Sequence, residues 1–452
     1  MLTVEEKGGL YVETSTIALI IVAVMLILYI TEILPIATTS ILAVLALAIF
    51  GVIPMTGRVI DGAFVPGAFS GFGNDIVYLI VGMIVVGNAV FESGVAEVMG
   101  KKIISLVGTN ERIFMLALVP VTIAFSMFLS NTATAGIMLP IVASAVAASS
   151  GKLSKKNTFM MIGIIAVAGG GLTIVGSTPQ QIALAYLNDS GHGTIGFWEL
   201  SWTGAPILIL AVIFFQTIGL KLQKKFFDFP EVDEGVPVPA LNRAGEEKPK
   251  SVAKMWITVA ILVFCVVGFI TVDFDFAFWS LGVVAMVGAV ACVATGCISQ
   301  KRVFEKMDWT TVVIMGCSFG ISAGIEQSGA GELVANTMIN ILGDRMTPWL
   351  LAAALALITM LLSNFMSSTA CAALLIPIAG SLAMTLGYDI KSIVMVIAIS
   401  ANVAYATPVS TPPITMTLVG GYRFKDYVKV GGLFNLMAYI LLILLFPLVL
   451  NF

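Results

Sequence analysis

Charge is the scarcest commodity in this sequence. Only 11% of its 452 residues are Asp, Glu, Lys or Arg, against about 25% in an ordinary soluble domain. Such a composition cannot cover a water-facing surface, so the chain is an integral membrane protein. Histidine is almost missing, with His192 alone in a glycine-rich loop. Cys265, Cys292, Cys297, Cys317 and Cys371 all fall in apolar segments without metal-ligand spacing, and they read as small packing residues. These shortages exclude a His/Cys metal cluster and leave no nucleophile–histidine pair for an intramembrane enzyme. No basic arm offers itself to a nucleic acid. The acidic start, MLTVEEKGGLYVE, lacks the basic n-region of a signal peptide, which makes the first apolar run a retained span.

What the chain does have is apolar length. A hydrocarbon core about 30 Å thick takes about 20 apolar residues per helix. Spans are expected near 15–33, 36–54, 76–92, 158–185, 202–220, 255–273, 277–297, 309–327, 391–418 and 430–450. Two further apolar regions, 111–150 and 347–384, are too long for one span and too polar at their centres for a lipid-facing helix. Lys and Arg collect in cytoplasmic loops. With the N-terminus outside, 19 of the 23 Lys and Arg fall in 97–112, 151–157, 221–254, 299–308 and 421–429; only Lys7, Arg58, Arg345 and Lys391 fall outside. That orientation makes 111–150 and 347–384 re-entrant hairpins, one entering from each face, and leaves both termini extracytoplasmic in a plasma (inner) membrane.

The two halves repeat each other. SNTATAGIMLPI (130–141) pairs with SSTACAALLIPI (367–378), Glu92-Ser93-Gly94 with Gln327-Ser328-Gly329, and VGSTPQQ (175–181) with PVSTPPI (408–414), at offsets of 237, 235 and 233. The expected fold is therefore an all-α membrane protein of two inverted repeats, each with five transmembrane helices and one hairpin. The first repeat is 1–220, the second 255–452, with 221–254 as a cytoplasmic linker.

Polar residues concentrate at four places: the two hairpin tips, and the spans 158–185 and 391–418, which Gly169-Gly170-Gly171, Ser177-Thr178-Pro179, Thr407-Pro408 and Ser410-Thr411-Pro412-Pro413 interrupt. Non-helical backbone at membrane depth is tolerated only where it is buried or lines a cavity. Inverted repeats with broken helices are a mark of secondary transporters. Half-helix N-termini present free N–H groups and a positive dipole end, which favour an anion. Ser, Thr and Asn add neutral donors and oxygens able to ligate a hard cation. No Lys or Arg stands beside any of the four interruptions, so a co-bound Na⁺ would balance a dianion there. The structural alternative is that these hydroxyls only bond neighbouring helices. Glu32, Glu92 and Glu326, at span ends, read as interfacial or capping groups.

With these residues in view, the sequence resembles the divalent anion:sodium symporter family of di- and tricarboxylate transporters, from about Ile30 to Gly421. TEILPIATTSILAV, the Ser130-Asn131-Thr132 tip, its second copy Ser367-Ser368-Thr369, and the STPQQ and STPPI breaks carry the likeness. The resemblance implies a homodimer in which hairpins and broken helices move across the bilayer as an elevator. It implies that Ser130, Asn131, Thr132, Ser367, Ser368 and Thr369 contact a substrate carboxylate, with Thr178, Thr411 and Pro412 lining the pocket. It places one Na⁺ around Ser126, Ser130, Asn131 and the backbone near Ser177, and a second around Ser363, Ser367, Ser368 and the backbone near Ser410. Ser368 stands where the second tip usually has asparagine, which shortens a carbonyl ligand. The implied function is uptake of succinate, malate, 2-oxoglutarate or citrate, coupled to Na⁺. The alternatives are a Na⁺-independent dicarboxylate exchanger, a sulfate transporter, and a relative of the arsenite or Na⁺/H⁺ antiporters.

Overall fold

The computed structural model describes residues 13–31, 33–60, 63–95, 98, 110–149, 152–227, 251–272, 279–330, 333, 347–408 and 410–450. Glu32 and most of the 221–254 linker lie outside the described residues. The first half comprises α1 (Thr14–Thr31), α2 (Ile36–Ile49), α3 (Asp75–Ser93), α4 (Glu111–Ser126), α5 (Asn131–Ala148), α6 (Lys155–Gly170), α7 (Thr178–Ser190) and α8 (Ser201–Gln216). A short α9 (Ile218–Phe226) follows, bent 49° from α8. The second half comprises α10 (Val252–Thr271), α11 (Leu281–Ala294), α12 (Gln300–Lys306), α13 (Trp309–Ser328), α14 (Pro348–Ser363), α15 (Ser368–Leu386), α16 (Ile390–Ala401), α17 (Pro412–Met416) and α18 (Phe424–Val449). A π-helical turn, Tyr427–Gly431, lies within α18. Among the described residues, the strands are confined to one hairpin between α2 and α3, where Arg58 pairs with Val65 and Ile60 with Ala63.

The contacts between the halves are reciprocal. α2 packs on α13 and α11 packs on α3; α1 also meets α13 and α10 meets α3. α7 lies against α15, and α17 against α5. Each half thus lends its broken helix to the other half's hairpin. α6 and α16 are buried on all sides, as befits helices apolar all round at the centre of a bundle. The outer helices each keep one bare apolar face, including Ile209 and Ile213 on α8, Val263 and Val267 on α10, and Leu436, Ile440 and Leu444 on α18. A surface of that kind is stable only against lipid.

Polar ties run between segments that the Lys/Arg distribution puts on one face. Glu111 pairs with Lys224 at 2.8 Å and accepts from Asn157 at 2.7 Å. Glu92 faces Lys306 at 3.3 Å and Arg302 at 3.6 Å. Tyr422 donates its hydroxyl to Lys156 O at 2.8 Å. At the opposite ends of the helices, Glu199 meets Lys391 at 2.6 Å. There too Asp75, opening α3, caps α11 from outside: its carboxylate accepts from Ser280 Oγ at 2.5 Å and from Gly282 N at 3.0 Å. Asp75→Ala should remove both bonds and cost about 1–3 kcal/mol, read as a lower unfolding midpoint in detergent with substrate affinity unchanged.

At each of the two expected hairpins the chain forms two helices joined by a short turn, 16 and 18 residues long in the first and 16 and 19 in the second. At 1.5 Å per residue these helices run roughly 24–29 Å. That exceeds half a hydrocarbon core, so tips at the midplane require arms that lie oblique or start in the headgroup region. The expected broken spans also form. Pro408 lies within the second break, whereas Pro179 and Pro412 begin the second halves, in the first turns of α7 and α17, where a missing N–H costs nothing.

Candidate functional site

At the first tip, four residues of non-helical chain join α4 to α5. Ser130 caps α5 in an extended conformation and accepts from Ala133 N at 3.2 Å. Ser126, the last residue of α4, lies with its Oγ 2.7 Å from Asn131 Oδ1 and donates to Ala166 O. That same end of the Asn131 amide lies 3.0 Å from Ala166 O and 3.1 Å from Gly176 O. With the amide nitrogen turned there, its two N–H groups face all three oxygens and the group is satisfied without a cation. With the amide oxygen there, four oxygens converge and only the Ser126 hydroxyl has a proton to offer. A hard cation satisfies that second arrangement, since it takes oxygen ligands from hydroxyls, amides and backbone carbonyls alike.

The glycine run explains how the tip gets so close. A Cβ on Gly170 would sit 2.0 Å from Asn131 Oδ1 and 2.8 Å from Gly176 O. Only glycine lets the broken helix and the asparagine share that space. Thr173, in the break, ties it back to the hairpin by donating to Met127 O and accepting from Gly176 N.

The second tip repeats the frame with different chemistry. Ser363, ending α14, donates to Ala401 O at 2.7 Å, as Ser126 does to Ala166 O. Thr407 donates to Asn364 O, as Thr173 does to Met127 O. Asn364 Oδ1 accepts from Ala406 N at 2.8 Å, which pins the break. But Ser368 reaches only Ser363, Oγ to Oγ at 2.9 Å. The two hydroxyl protons satisfy this group of oxygens without a cation. Ser410 Oγ turns back to Ala404 O at 2.6 Å and Thr407 O at 3.0 Å, away from that group.

The sequence-expected residues are thus placed as follows. Ser126, Asn131 and the backbone at Gly176–Ser177 come together at the first tip. Ser363 and Ser368 come together at the second, without Ser410. The hydroxyls of Thr132, Thr178, Ser367 and Thr369 make no hydrogen bond to the described residues, and that of Thr411 is buried and unpaired. These groups sit on the two tips and at the first turns of α7 and α17, with Ser130, Thr132 and Pro412 exposed. They leave donors free beside the N-termini of α5, α7 and α15, with Thr411 at the start of α17, which is the disposition an anion requires. Ser177 does not face the first cation position with its side chain; its hydroxyl donates to Asn402 Oδ1 at 2.5 Å.

Asn402 and Asn364 were not among the sequence candidates. Asn402 joins the two breaks across 225 positions of chain, and nothing in its apolar neighbours signals that bond. Asn364 lies beside Ser363 in LSNF, four residues ahead of the tip's Ser368, and its asparagine in an apolar run was the available signal. Glu92 is ion-paired as an interfacial residue should be, and the five cysteines are all buried as free thiols.

The sequence model of the citrate transporter family matches residues 26–394 and residues 276–452. An uncharacterised transporter of Haemophilus influenzae is 27% identical over 94% of this chain and 89% of its own. The sodium-dependent high-affinity dicarboxylate transporter 3 of Caenorhabditis elegans is 24% identical over 94% of this chain and 81% of its own. The sodium-dependent dicarboxylate transporter SdcS of Staphylococcus saprophyticus is 25% identical over 92% of this chain and 82% of its own. Among solved structures, the YdaH transporter of Alcanivorax borkumensis shares the fold, with a TM-score of 0.53 and 12% identity over 96% of this chain and 98% of that one. The paired tips, the breaks and these matches place the chain in the citrate transporter family, among the divalent anion:sodium symporters, as a multi-pass membrane transporter and not an enzyme.

Proposed function

We propose that the chain carries a small di- or tricarboxylate into the cell together with Na⁺. The observation that carries the coupling is the convergence of Ser126 Oγ, the Asn131 amide, Ala166 O and Gly176 O; with the amide oxygen turned inward, as it would be around Na⁺, one proton serves four oxygens. The relatives named as sodium-dependent dicarboxylate transporters support the same reading. Substrate carboxylates are held by Ser130, Asn131 and Thr132 on one side and Ser367, Ser368 and Thr369 on the other, with Thr178, Thr411 and Pro412 between them. The absence of a fixed cationic side chain at the tips gives bound Na⁺ the task of neutralising the anion. The two halves act as inverted repeats, and the tips with α7 and α17 move together as an elevator in each protomer of a homodimer. The more basic face is cytoplasmic, which puts Glu199 and Lys391 outside.

One observation favours a second reading. The closed Ser363–Ser368 pair removes the asparagine oxygen from the second tip, and a carrier that exchanged dianions would need no Na⁺ there. Uptake of labelled succinate into proteoliposomes separates the two. Symport gives uptake into empty vesicles driven by an inward Na⁺ gradient. Exchange gives uptake only into vesicles preloaded with dicarboxylate, indifferent to Na⁺. Ser368→Asn, which returns an amide oxygen to the second tip, should steepen the Na⁺ dependence of succinate uptake relative to the parent protein. An unchanged curve would show that the second tip takes no part in coupling.

A further inference from the structure

A cleft of about 340 Å³ opens between α13 on one side and α7 and α15 on the other. Tyr186, Ser322, Glu326, Pro377, Ser381 and Met384 line it. It is separate from the tips: Ser381 stands 13 residues beyond Ser368 on α15, roughly 20 Å along the helix. It lies at the ends of α7, α13 and α15 that the charge distribution puts outside the cell.

The lining chemistry is one-sided. Glu326 has no ion-pair partner among the described residues, and no Lys, Arg or His lines the cleft. The hydroxyls of Tyr186, Ser322 and Ser381 make no hydrogen bond to the described residues. Many helix hydroxyls elsewhere in the chain return their proton to their own helix, as Thr122, Thr158, Thr258 and Thr359 do. Three that do not, and one uncompensated carboxylate, converge on this space. Tyr186 is steered there by packing. A Cβ on Gly380 would lie 2.3 Å from its hydroxyl oxygen, so that glycine lets the phenol end of the ring pack against α15.

An anion would meet Glu326 with nothing among the described residues to offset it. A multivalent metal ion would find a single carboxylate, and among the described residues no cluster of metal-ligating side chains exists. A protonated amine fits. Its N–H groups can donate to the carboxylate and to hydroxyl oxygens, while its methylenes lie on Pro377, Met384 and the Tyr186 ring, whose face attracts a cation. We propose that this cleft is a binding site for a small primary alkylammonium group, supplied either by a free amine or by the ethanolamine headgroup of a lipid. Bound there, it bridges α13 to the helices that carry the tips. If those helices slide during transport, a clause that rests on the function proposed above, the ligand slows uptake.

The test reads binding directly. Purified protein in phosphatidylcholine nanodiscs is titrated with ethanolamine against matched KCl, and its unfolding midpoint is followed. In a second arm phosphatidylethanolamine replaces part of the lipid. A rise in the first arm identifies free amine as a ligand, and a rise only in the second identifies the headgroup. Glu326→Gln should weaken either effect roughly tenfold or more in apparent affinity. Ser381→Ala, a milder change on a different helix, should weaken it less. No rise in either arm, or rises of equal size in both variants and the parent, would overturn the proposal. Because no transport is measured in these arms, they stand or fall apart from the assignment of substrate and coupling ion.

Discussion

Asn131→Ala is expected to cut Na⁺-driven succinate uptake severely while leaving the protein folded. The asparagine is the one side chain that closes the oxygen group at the first tip, bridging Ser126 Oγ, Ala166 O and Gly176 O. Truncation leaves Gly176 O, in the break, without its side-chain partner, and Ala166 O, in α6, with only the Ser126 hydroxyl. Interactions of this kind with a charged ligand are worth enough that uptake at fixed Na⁺ should fall roughly 10- to 100-fold. Saturating Na⁺ should recover only part of it, because the same residue also belongs to the substrate lip. The measurement is initial uptake against external Na⁺ at constant ionic strength, with circular dichroism and monodisperse elution as controls for folding. Normal uptake with an unchanged Na⁺ dependence would remove the first tip from the mechanism altogether.

Much of this site could be read in the chain before its fold was known, and the reason is local. The tips are contiguous: Ser130-Asn131-Thr132 and Ser367-Ser368-Thr369 are consecutive residues whose helix, turn and cap are all determined within a few positions. The breaks are legible for the same reason, since glycine runs and Ser-Thr-Pro are short-range signals. The repeat amplified both, because each motif had a second copy to be compared with. What stayed hidden is long-range. The bonds from Thr173 to Met127, from Thr407 to Asn364 and from Ser177 to Asn402 join segments that only the packing of α4, α6, α14 and α16 brings together. No pattern in AISANVAY distinguishes Asn402 from a solitary polar residue tucked against its own helix. The Glu326 cleft was hidden for a related reason. Glu326 reads as a span-end carboxylate in sequence, and only the approach of α7 and α15 gives it hydroxyls to share a cavity with.

The reciprocal contacts between halves bear on mechanism as well as on fold. α7 of the first half rests on α15 of the second, and α17 on α5. A displacement of either hairpin therefore acts on the break belonging to the other. The Ser177–Asn402 bond adds a direct link between the two breaks. The tips and breaks are in this sense linked to one another, while α1 and α2 form an apolar cluster with α13 that also takes in Met366 at the second tip and Ala370, Cys371 and Leu374 of α15.

Gly170→Ala should be as damaging as the loss of Asn131, and for a reason that can be separated from it. The added methyl carbon would sit 2.0 Å from Asn131 Oδ1 and 2.8 Å from Gly176 O, both far inside van der Waals contact. The backbone of the break cannot retreat easily, because Gly176 itself lies against Gly170 and Ser126. The asparagine must then leave the oxygen group, and the overpacking alone costs about 1–3 kcal/mol. Uptake of succinate in Gly170→Ala should fall to the level of Asn131→Ala, with a modestly lower unfolding midpoint. The double variant decides between displacement and general damage. If the methyl group acts by expelling Asn131, the two changes share one target and their effects on uptake do not add. The double variant then transports no worse than either single variant, and its unfolding midpoint rises above that of Gly170→Ala, because the truncated side chain makes room for the methyl. Additive losses in uptake, or a double variant less stable than both parents, would mean that Gly170 matters to the break itself and not to the position of the asparagine.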